Sequence, residues 1–243
     1  MANNIFSIKL KNYYPAFTLA EVLITLGIIG IVAAMTISSI VSSYKKIELE
    51  NRFKKVSSTI ENAAAAALKE YGMEGLLNKE GNAIINSLGY RIPDDLKENI
   101  NNEFSSKLNI GFTYGRKPLG SNKDGITDSA NKHSIHSFLT NKEVLPLHVT
   151  NLNQRYILKD GSSVSLISFQ THGLYDGIKI YFDTNGAFKG PNRFGYDIFI
   201  YDTGGWNINN CADDYYAYGC YKYAQQNINP QDKSKPYWKS LKI

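Results

Sequence analysis

The stretch PAFTLAEVLITLGIIGIVAAMTI, residues 15–37, decides the fold because it is the long apolar run of an otherwise polar chain. No charged residue lies between Val22 and Tyr44. As a helix, the part from Val22 to Val41 would be about 30 Å long, which matches the hydrocarbon thickness of a bilayer. Glu21 lies at the start of this run, where a carboxylate in lipid is costly unless it is paired. The pattern predicts a membrane-spanning helix whose acidic residue has a specific task.

The overall composition is that of a folded protein with one sizeable core or two small domains. Of the 243 residues, 43% are hydrophobic and 20% are charged, which argues against wholesale disorder. The net charge is +5, and Lys9 and Lys11 carry two of these charges ahead of the apolar run. The remaining charge, about +3, is too small for the concentrated basic face that nucleic-acid binding requires.

A second periodic pattern follows the apolar run. Beyond Tyr44 the apolar residues recur at steps of three and four, which is one stripe of an amphipathic helix. We therefore expect one helix of about 55 residues that ends near Gly72 and Gly75. Because the stripe is short, it favours packing on the chain's own C-terminal part over a coiled coil. The stripe consists of Leu49, Phe53, Val56, Ile60, Ala63 or Ala64, Ala67 and Tyr71.

The C-terminal part has the alternating pattern of an antiparallel sheet. Four segments over residues 154–202 are predicted to be strands: the last two alternate in strand fashion, and Asp160-Gly161 between the first two predicts a type I′ hairpin turn. Upstream, a helix is expected from Pro93 to Phe104 and a strand over residues 108–114. The predicted class is α+β, with a four-stranded antiparallel meander covering the amphipathic half of the long helix. The four segments are RYILK (155–159), SVSLISF (163–169), IKIYF (178–182) and YDIFIY (196–201).

The two cysteines, Cys211 and Cys220, are separated by eight residues near the C-terminal end of the chain. They match no zinc or redox spacing. If this part lies outside the cytoplasm, a disulfide is expected, and it would contribute about 2–3 kcal/mol to stability. If this part is cytosolic, two buried thiols are expected instead.

No motif for catalysis occurs in the chain. The sequence contains no GxxxxGK[ST], GxGxxG, HExxH or GxSxG pattern. His133 and His136 form an HxxH pair, but their Ser, Asn and Lys neighbours favour solvated loop histidines over metal ligands. We therefore expect a protein that is not an enzyme and that has no catalytic residue.

The segment AFTLAEVLITLGIIGIVAA, residues 16–34, resembles the N-terminal processing and methylation motif of type IV prepilins and type II secretion pseudopilins. The resemblance implies that a prepilin peptidase removes a basic leader, residues 1–16. Phe17 then becomes the N-methylated first residue, and Glu21 stands fifth, as in the family. Two features depart from the usual pattern: Ala16 replaces the Gly that usually precedes the cut, and the helix lacks the Pro that many major pilins carry.

The resemblance also gives Glu21 a task in assembly. In a filament, the N-terminal amine of Phe17 in one subunit would face Glu21 of its neighbour, and this pairing would fix the axial register. The alternative is a glutamate that reaches the lipid interface from the helix end without a specific partner.

The resemblance further implies a domain organisation and a pilin-like fold. It divides the chain into the leader, a transmembrane and filament-core helix over 17–44, an amphipathic continuation over 45–75, and an extracytoplasmic head over 76–243. The implied partners are the prepilin peptidase, other pilin or pseudopilin subunits, an inner-membrane assembly platform and membrane lipid. The implied location is the bacterial inner membrane, followed by a periplasmic or cell-surface filament.

The expected function is that of a structural subunit of a type IV pilus or a type II secretion pseudopilus. The length of the mature part favours a minor or accessory subunit. The alternative is an uncleaved, membrane-anchored extracytoplasmic binding domain that does not polymerise.

The block DTNGAFKGPNRFGYD, residues 183–197, is rich in turn-forming residues and resembles blocks in the C-terminal domains of prepilin-like proteins. Its residues Asp183, Asn185 and Asp197, with Asp202 beyond it, are candidate calcium ligands, since the major pseudopilin of type II secretion binds calcium. Their spacing does not match an EF-hand loop, and side chains that cap turns explain them without an ion. No other metal or cofactor is expected.

Overall fold

The computed structural model describes residues 17–77, 92–114, 137–140, 142, 155–170, 177–186, 189–204, 211 and 220–243. These residues form two compact units that divide between Ser43 and Tyr44. The fold is α+β, with a long apolar N-terminal helix and a C-terminal antiparallel sheet, as predicted. The leader, the HxxH pair and most of residues 76–150 lie outside the described residues.

The first helix, α1, spans Leu19–Glu70 and contains 52 residues, close to the predicted length. A short 3₁₀ helix follows at Glu74–Leu77. The remaining helices are α2 at Asp94–Ser106, α3 at Cys220–Gln226 and α4 at Tyr237–Ser240.

The C-terminal end of α1 is a Schellman motif built on a glycine. The N–H of Met73 donates to the carbonyl of Leu68 at 2.8 Å, and the N–H of Gly72 donates to the carbonyl of Lys69 at 3.1 Å. Gly72 has a φ of 65°, a conformation that side-chain-bearing residues rarely adopt. The buried side chains of Leu68 and Met73 supply the apolar contact that accompanies this cap. The glycine stop predicted from the sequence therefore has a specific geometry.

Six strands form the sheet, and their pairings are all antiparallel within the described residues. β1 pairs with β2, β2 with β3, and both β3 and β4 pair with β5, which carries β6 on its other side. The strands are β1 Ile110–Tyr114, β2 Arg155–Leu158, β3 Ser163–Ser165, β4 Ser168–Gln170, β5 Gly177–Asp183 and β6 Ile198–Asp202.

The second predicted strand, SVSLISF, is divided into β3 and β4 by an extra residue. Ser163 pairs with Asp183, and Ser168 pairs with Lys179. The chain therefore advances five residues from β3 to β4 while β5 advances four. At the break, the hydroxyl of Ser165 accepts the N–H of Tyr181 at 2.9 Å. The alternation of apolar residues shifts phase at the adjacent residues Leu166 and Ile167, which is the sequence signal of the extra residue.

The predicted type I′ turn at Asp160-Gly161 is wrong. That turn needs a positive φ at both central residues, but of these two residues only Gly161 has one, at 89°. The N–H of Gly161 donates to the carbonyl of Leu158 at 2.9 Å, and the N–H of Leu158 donates to the carbonyl of Ser162 at 2.8 Å. The carboxylate of Asp160 accepts the N–H and hydroxyl of Ser162 at 3.0 and 2.6 Å. The connection is therefore a longer loop with one left-handed glycine.

The amphipathic half of α1 packs on the sheet through the buried side chain of Phe53. Its ring centroid lies 4.6 Å from that of Phe199, 5.3 Å from that of Trp238 and 6.3 Å from that of Phe182. The predicted stripe is buried except for Tyr71, which is 37% exposed because the helix ends at Glu70. Leu68 is buried instead. The prediction that this half packs on the chain's own C-terminal part is therefore confirmed for the rest of the stripe.

Candidate functional site

The N-terminal end of α1 is closed by a reciprocal pair of side chains. The N–H and the hydroxyl of Thr18 both donate to Oε2 of Glu21, each at 2.8 Å. In return, the N–H of Glu21 donates to Oγ1 of Thr18 at 3.3 Å. This is a capping box, and its signature T-x-x-E is present in the sequence. The sequence reasoning missed it because it considered Glu21 only as a charge in lipid.

Phe17 and Glu21, predicted as processing and assembly residues, lie together at this end of the helix. Phe17 immediately precedes the capping residue and is 87% exposed. Glu21 is also exposed, and Oε2 is the oxygen that the capping box uses. Ala16, on the other side of the predicted cut, lies outside the described residues.

The apolar half of α1 presents large hydrophobic side chains to the surroundings. Leu23, Ile24, Leu26, Ile28 and Ile29 are each more than half exposed. Within the described residues, α1 is the helix that is long and apolar enough to cross a membrane. A continuous apolar surface of this size marks contact with a membrane or with other proteins.

The threonine hydroxyls inside this apolar segment are satisfied within the helix itself. The hydroxyl of Thr25 donates to the carbonyl of Glu21 at 2.9 Å, and the hydroxyl of Thr36 donates to the carbonyl of Val32 at 2.9 Å. In lipid, a polar group without a hydrogen-bond partner is costly, so such internal bonds suit a helix in a bilayer.

Asp183 caps the turn that follows β5. Its Oδ1 accepts the N–H of Asn185 at 3.0 Å and the N–H of Gly186 at 2.9 Å. The amide nitrogen of Asn185 donates to the carbonyl of Gly190 at 3.2 Å. Oδ1 of Asn185 and the hydroxyl of Thr184 are buried, and neither has a hydrogen-bond partner among the residues that the structure describes.

Asp197 caps the other end of the same loop from a fully buried position. Its Oδ2 accepts the N–H of Asn192 at 2.8 Å, and its Oδ1 accepts the N–H of Arg193 at 2.7 Å. Burial and the neighbouring carboxylate of Asp183 raise the pKa of Asp197 well above its ordinary value, although the two N–H groups act in the opposite direction.

These bonds explain the calcium candidates as caps of tight turns. Asp202 lies at the far end of β6, where its Oδ1 accepts the N–H of Gly204 at 2.8 Å and its Oδ2 lies 3.6 Å from Nζ of Lys179. In the described parts of the chain, no group of three or more Cys, His, Asp and Glu side chains is placed to hold a metal ion. The buried oxygens of Thr184 and Asn185 are the observation that fits an ion, and calcium binding stays a prediction.

The predicted disulfide between Cys211 and Cys220 is confirmed. The two Sγ atoms are bonded, and the Cα atoms lie 4.4 Å apart. Both residues are buried, and Cys220 is the first residue of α3. The bond therefore joins α3 to the chain segment that precedes it.

The arrangement suits contact of α1 with a membrane or with other proteins. The helix combines a capped and exposed N-terminal end with an apolar surface whose threonine hydroxyls are internally bonded. No family model, curated protein or solved structure matches this chain.

Proposed function

We propose that this chain is a prepilin-like structural subunit that is cleaved before Phe17, N-methylated, and assembled through α1 into a type IV pilus or type II secretion pseudopilus. The observation that carries the proposal is the N-terminal end of α1. There the processing motif, the exposed apolar surface and Glu21 occur together in one helix. A minor or accessory subunit is favoured by the length of the mature part.

Glu21 supports the proposal because one of its oxygens remains available. Oε2 accepts both bonds from Thr18, whereas no hydrogen bond from the described residues reaches Oε1. The amine of a neighbouring subunit's Phe17 can therefore pair with Oε1 while the capping box persists. In the water-poor core of a filament, this pair offsets the cost of the Glu21 charge.

One observation favours the alternative, an uncleaved membrane-anchored binding domain. The bonds from Thr18 already give Glu21 a structural role as a helix cap, without a neighbour. The presence of Ala16 in place of the usual Gly is consistent with that alternative.

The test compares two variants at the same turn, with recovery of sheared filaments as the measurement. Glu21→Ala removes both the cap and the charge, and Thr18→Val removes only the hydroxyl of the cap. We expect Glu21→Ala to be processed but recovered in filaments at about a tenth of the wild-type level or less, and Thr18→Val to assemble. A tenfold difference in filament recovery corresponds to about 1.4 kcal/mol. This energy is less than the cost of an unpaired charge in lipid.

The outcome separates assembly from capping. If both variants assemble equally poorly, Glu21 acts only as a cap. If Glu21→Ala assembles like the wild type, the pairing role is excluded. Detection of the leader on both variants by immunoblot controls for a defect in processing.

A further inference from the structure

A cavity of about 490 Å³ lies in the C-terminal unit, between the first turns of α1 beyond Tyr44 and the loop that follows β5. Its volume is in the range of small-molecule sites. The wall is strongly basic. The charged side chains that line it are Lys45, Glu48, Arg52, Lys189, Arg193 and Lys242.

The positive charges of this cavity are only partly neutralised. The single acidic side chain, Glu48, pairs with Arg52 at 2.9 Å. No carboxylate of the described residues forms an ion pair with Lys45, Lys189 or Lys242. Five basic side chains and one acidic side chain of the described residues line the cavity, so four positive charges remain in excess. A concave surface with an excess of positive charge concentrates the electric field and attracts an anion.

Arg193 is held in place without a carboxylate. Its Nε donates to the carbonyl of Ser137 at 2.9 Å, and its Nη2 donates to the carbonyl of Phe138. The guanidinium lies over the ring of Tyr196, 4.2 Å from the centroid. These contacts therefore hold the positive charge of Arg193 in a fixed position. The exposed lysines are free to contact a ligand.

The position of Lys45 indicates where the anion comes from. Lys45 follows Tyr44, the last residue of the charge-free run, in the same helix. Tyrosine is enriched at the membrane interface, and basic residues next to a membrane helix attract anionic lipid headgroups. A phospholipid headgroup is thus the anion nearest to this wall once α1 spans a bilayer.

We propose that this cavity binds a phosphate group, supplied by the headgroup of an anionic phospholipid, with Lys45, Lys189 and Lys242 as its charged contacts. The proposal rests on the membrane-anchored part of the proposed function. It does not depend on cleavage before Phe17 or on filament assembly.

Calorimetric titration of the full chain in a neutral detergent tests the proposal. The probes are dihexanoyl phosphatidylglycerol, dihexanoyl phosphatidylcholine and inorganic phosphate. The test variant carries Lys189→Gln and Lys242→Gln, and the control is Lys233→Gln, which changes an exposed lysine outside the cavity. A variant with Lys189→Arg and Lys242→Arg keeps the charge.

We expect phosphatidylglycerol to bind more tightly than phosphatidylcholine. The glutamine pair should weaken its binding about tenfold or more, because each basic residue near an anionic headgroup adds to the attraction. The Lys233→Gln and arginine variants should bind within about twofold of the wild type. If inorganic phosphate binds as tightly and with the same lysine dependence, the phosphate site holds and its source is soluble.

Three results would overturn the proposal. The first is that neither phosphate probe binds, and the second is that the glutamine pair binds as tightly as the wild type. The third is that a triglutamate peptide binds more tightly and in a lysine-dependent way, which would indicate an acidic protein partner. Unchanged thermal unfolding of the glutamine pair controls for misfolding. Because the titration is independent of the leader, its failure leaves the cleavage before Phe17 untouched, and the reverse also holds.

Discussion

Glu21 has a partner before any second subunit is present, because Thr18 donates two hydrogen bonds to its Oε2. A capped first turn places the start of α1 and the carboxylate of Glu21 in a defined relation. Phe17 directly precedes the cap, so its position is constrained by the same bonds. The capping role is therefore compatible with the proposed assembly role, because the two would use different oxygens of Glu21.

Asp197 gives a residue-scale prediction of pH dependence. Burial and the carboxylate of Asp183 raise the pKa of Asp197 in the folded state above its unfolded value, which is about 3.9. Between these two values the folded state binds more protons than the unfolded state, so stability falls as the pH rises. We expect the contribution of Asp197 to the free energy of unfolding to be greatest below about pH 4 and to be lost as the pH rises through the raised pKa.

Urea unfolding of the wild type and Asp197→Asn at a series of pH values measures this contribution. The substituted amide does not titrate, so the difference in free energy of unfolding between the two proteins should change over this pH interval and be constant above it. A difference that is independent of pH would mean that the pKa of Asp197 is the same in the folded and unfolded states.

At the scale of elements, the packing of α1 on the sheet can be tested with one residue type on one helix. Ile60 is fully buried, whereas Ile47 is 57% exposed. Ile60→Ala should lower the free energy of unfolding by about 3 kcal/mol, because it removes buried methyl groups and leaves a cavity. Ile47→Ala should change it by less than about 0.5 kcal/mol.

Chemical unfolding of the full chain in detergent, followed by near-UV circular dichroism, gives both values. The two variants lose the same atoms from the same helix, so helix propensity cancels in the comparison. Equal effects of the two substitutions would show that the amphipathic half of α1 does not pack as described.

The elements that periodicity specifies could be predicted from the sequence. The length of α1, its buried stripe and the α+β class follow from apolar spacing, because burial of one face is what stabilises a helix or a strand. Tyr71 was assigned to the buried stripe incorrectly, since spacing does not show that Gly72 ends the helix one residue earlier.

Features that depend on single hydrogen bonds were not predicted. The turn at Asp160-Gly161 differs from type I′ because Asp160 accepts bonds from Ser162 and keeps a negative φ. The division of the second strand could have been found, because the adjacent apolar residues Leu166 and Ile167 interrupt the alternation. The capping box at Thr18 and Glu21 could have been found, since T-x-x-E before an apolar run is its known signature.

At the scale of the whole molecule, the disulfide between Cys211 and Cys220 covalently joins two segments of the head. Cys211→Ser with Cys220→Ser should lower the free energy of unfolding by about 2–3 kcal/mol, because the short loop is no longer closed in the unfolded chain. Thermal unfolding of the wild type with and without a reductant should reproduce the difference, and the double variant should not respond to the reductant.

Peptide mapping without reduction provides the complementary measurement. The wild-type protein should yield one peptide that joins Cys211 to Cys220. Free thiols at both positions in the exported protein would contradict the bond.

The proposed function gives the chain one organisation: α1 anchors the precursor and later forms the filament core, while the disulfide-linked head covers its amphipathic half. The contact between Phe53 of α1 and the aromatic side chains of the head stabilises the fold. The free end of α1 contributes the assembly residues, Phe17 and Glu21.

The mass of the N-terminal peptide, from protein purified out of cells that contain a prepilin peptidase, tests the central claim most directly. We predict a peptide that begins at Phe17 and carries one methyl group on its α-amine. The Phe17→Ser variant should still be located in the membrane. Its location therefore reports on anchoring separately from processing. An N-terminal peptide in which the bond between Ala16 and Phe17 is intact would contradict the proposed cleavage and would favour an uncleaved membrane anchor.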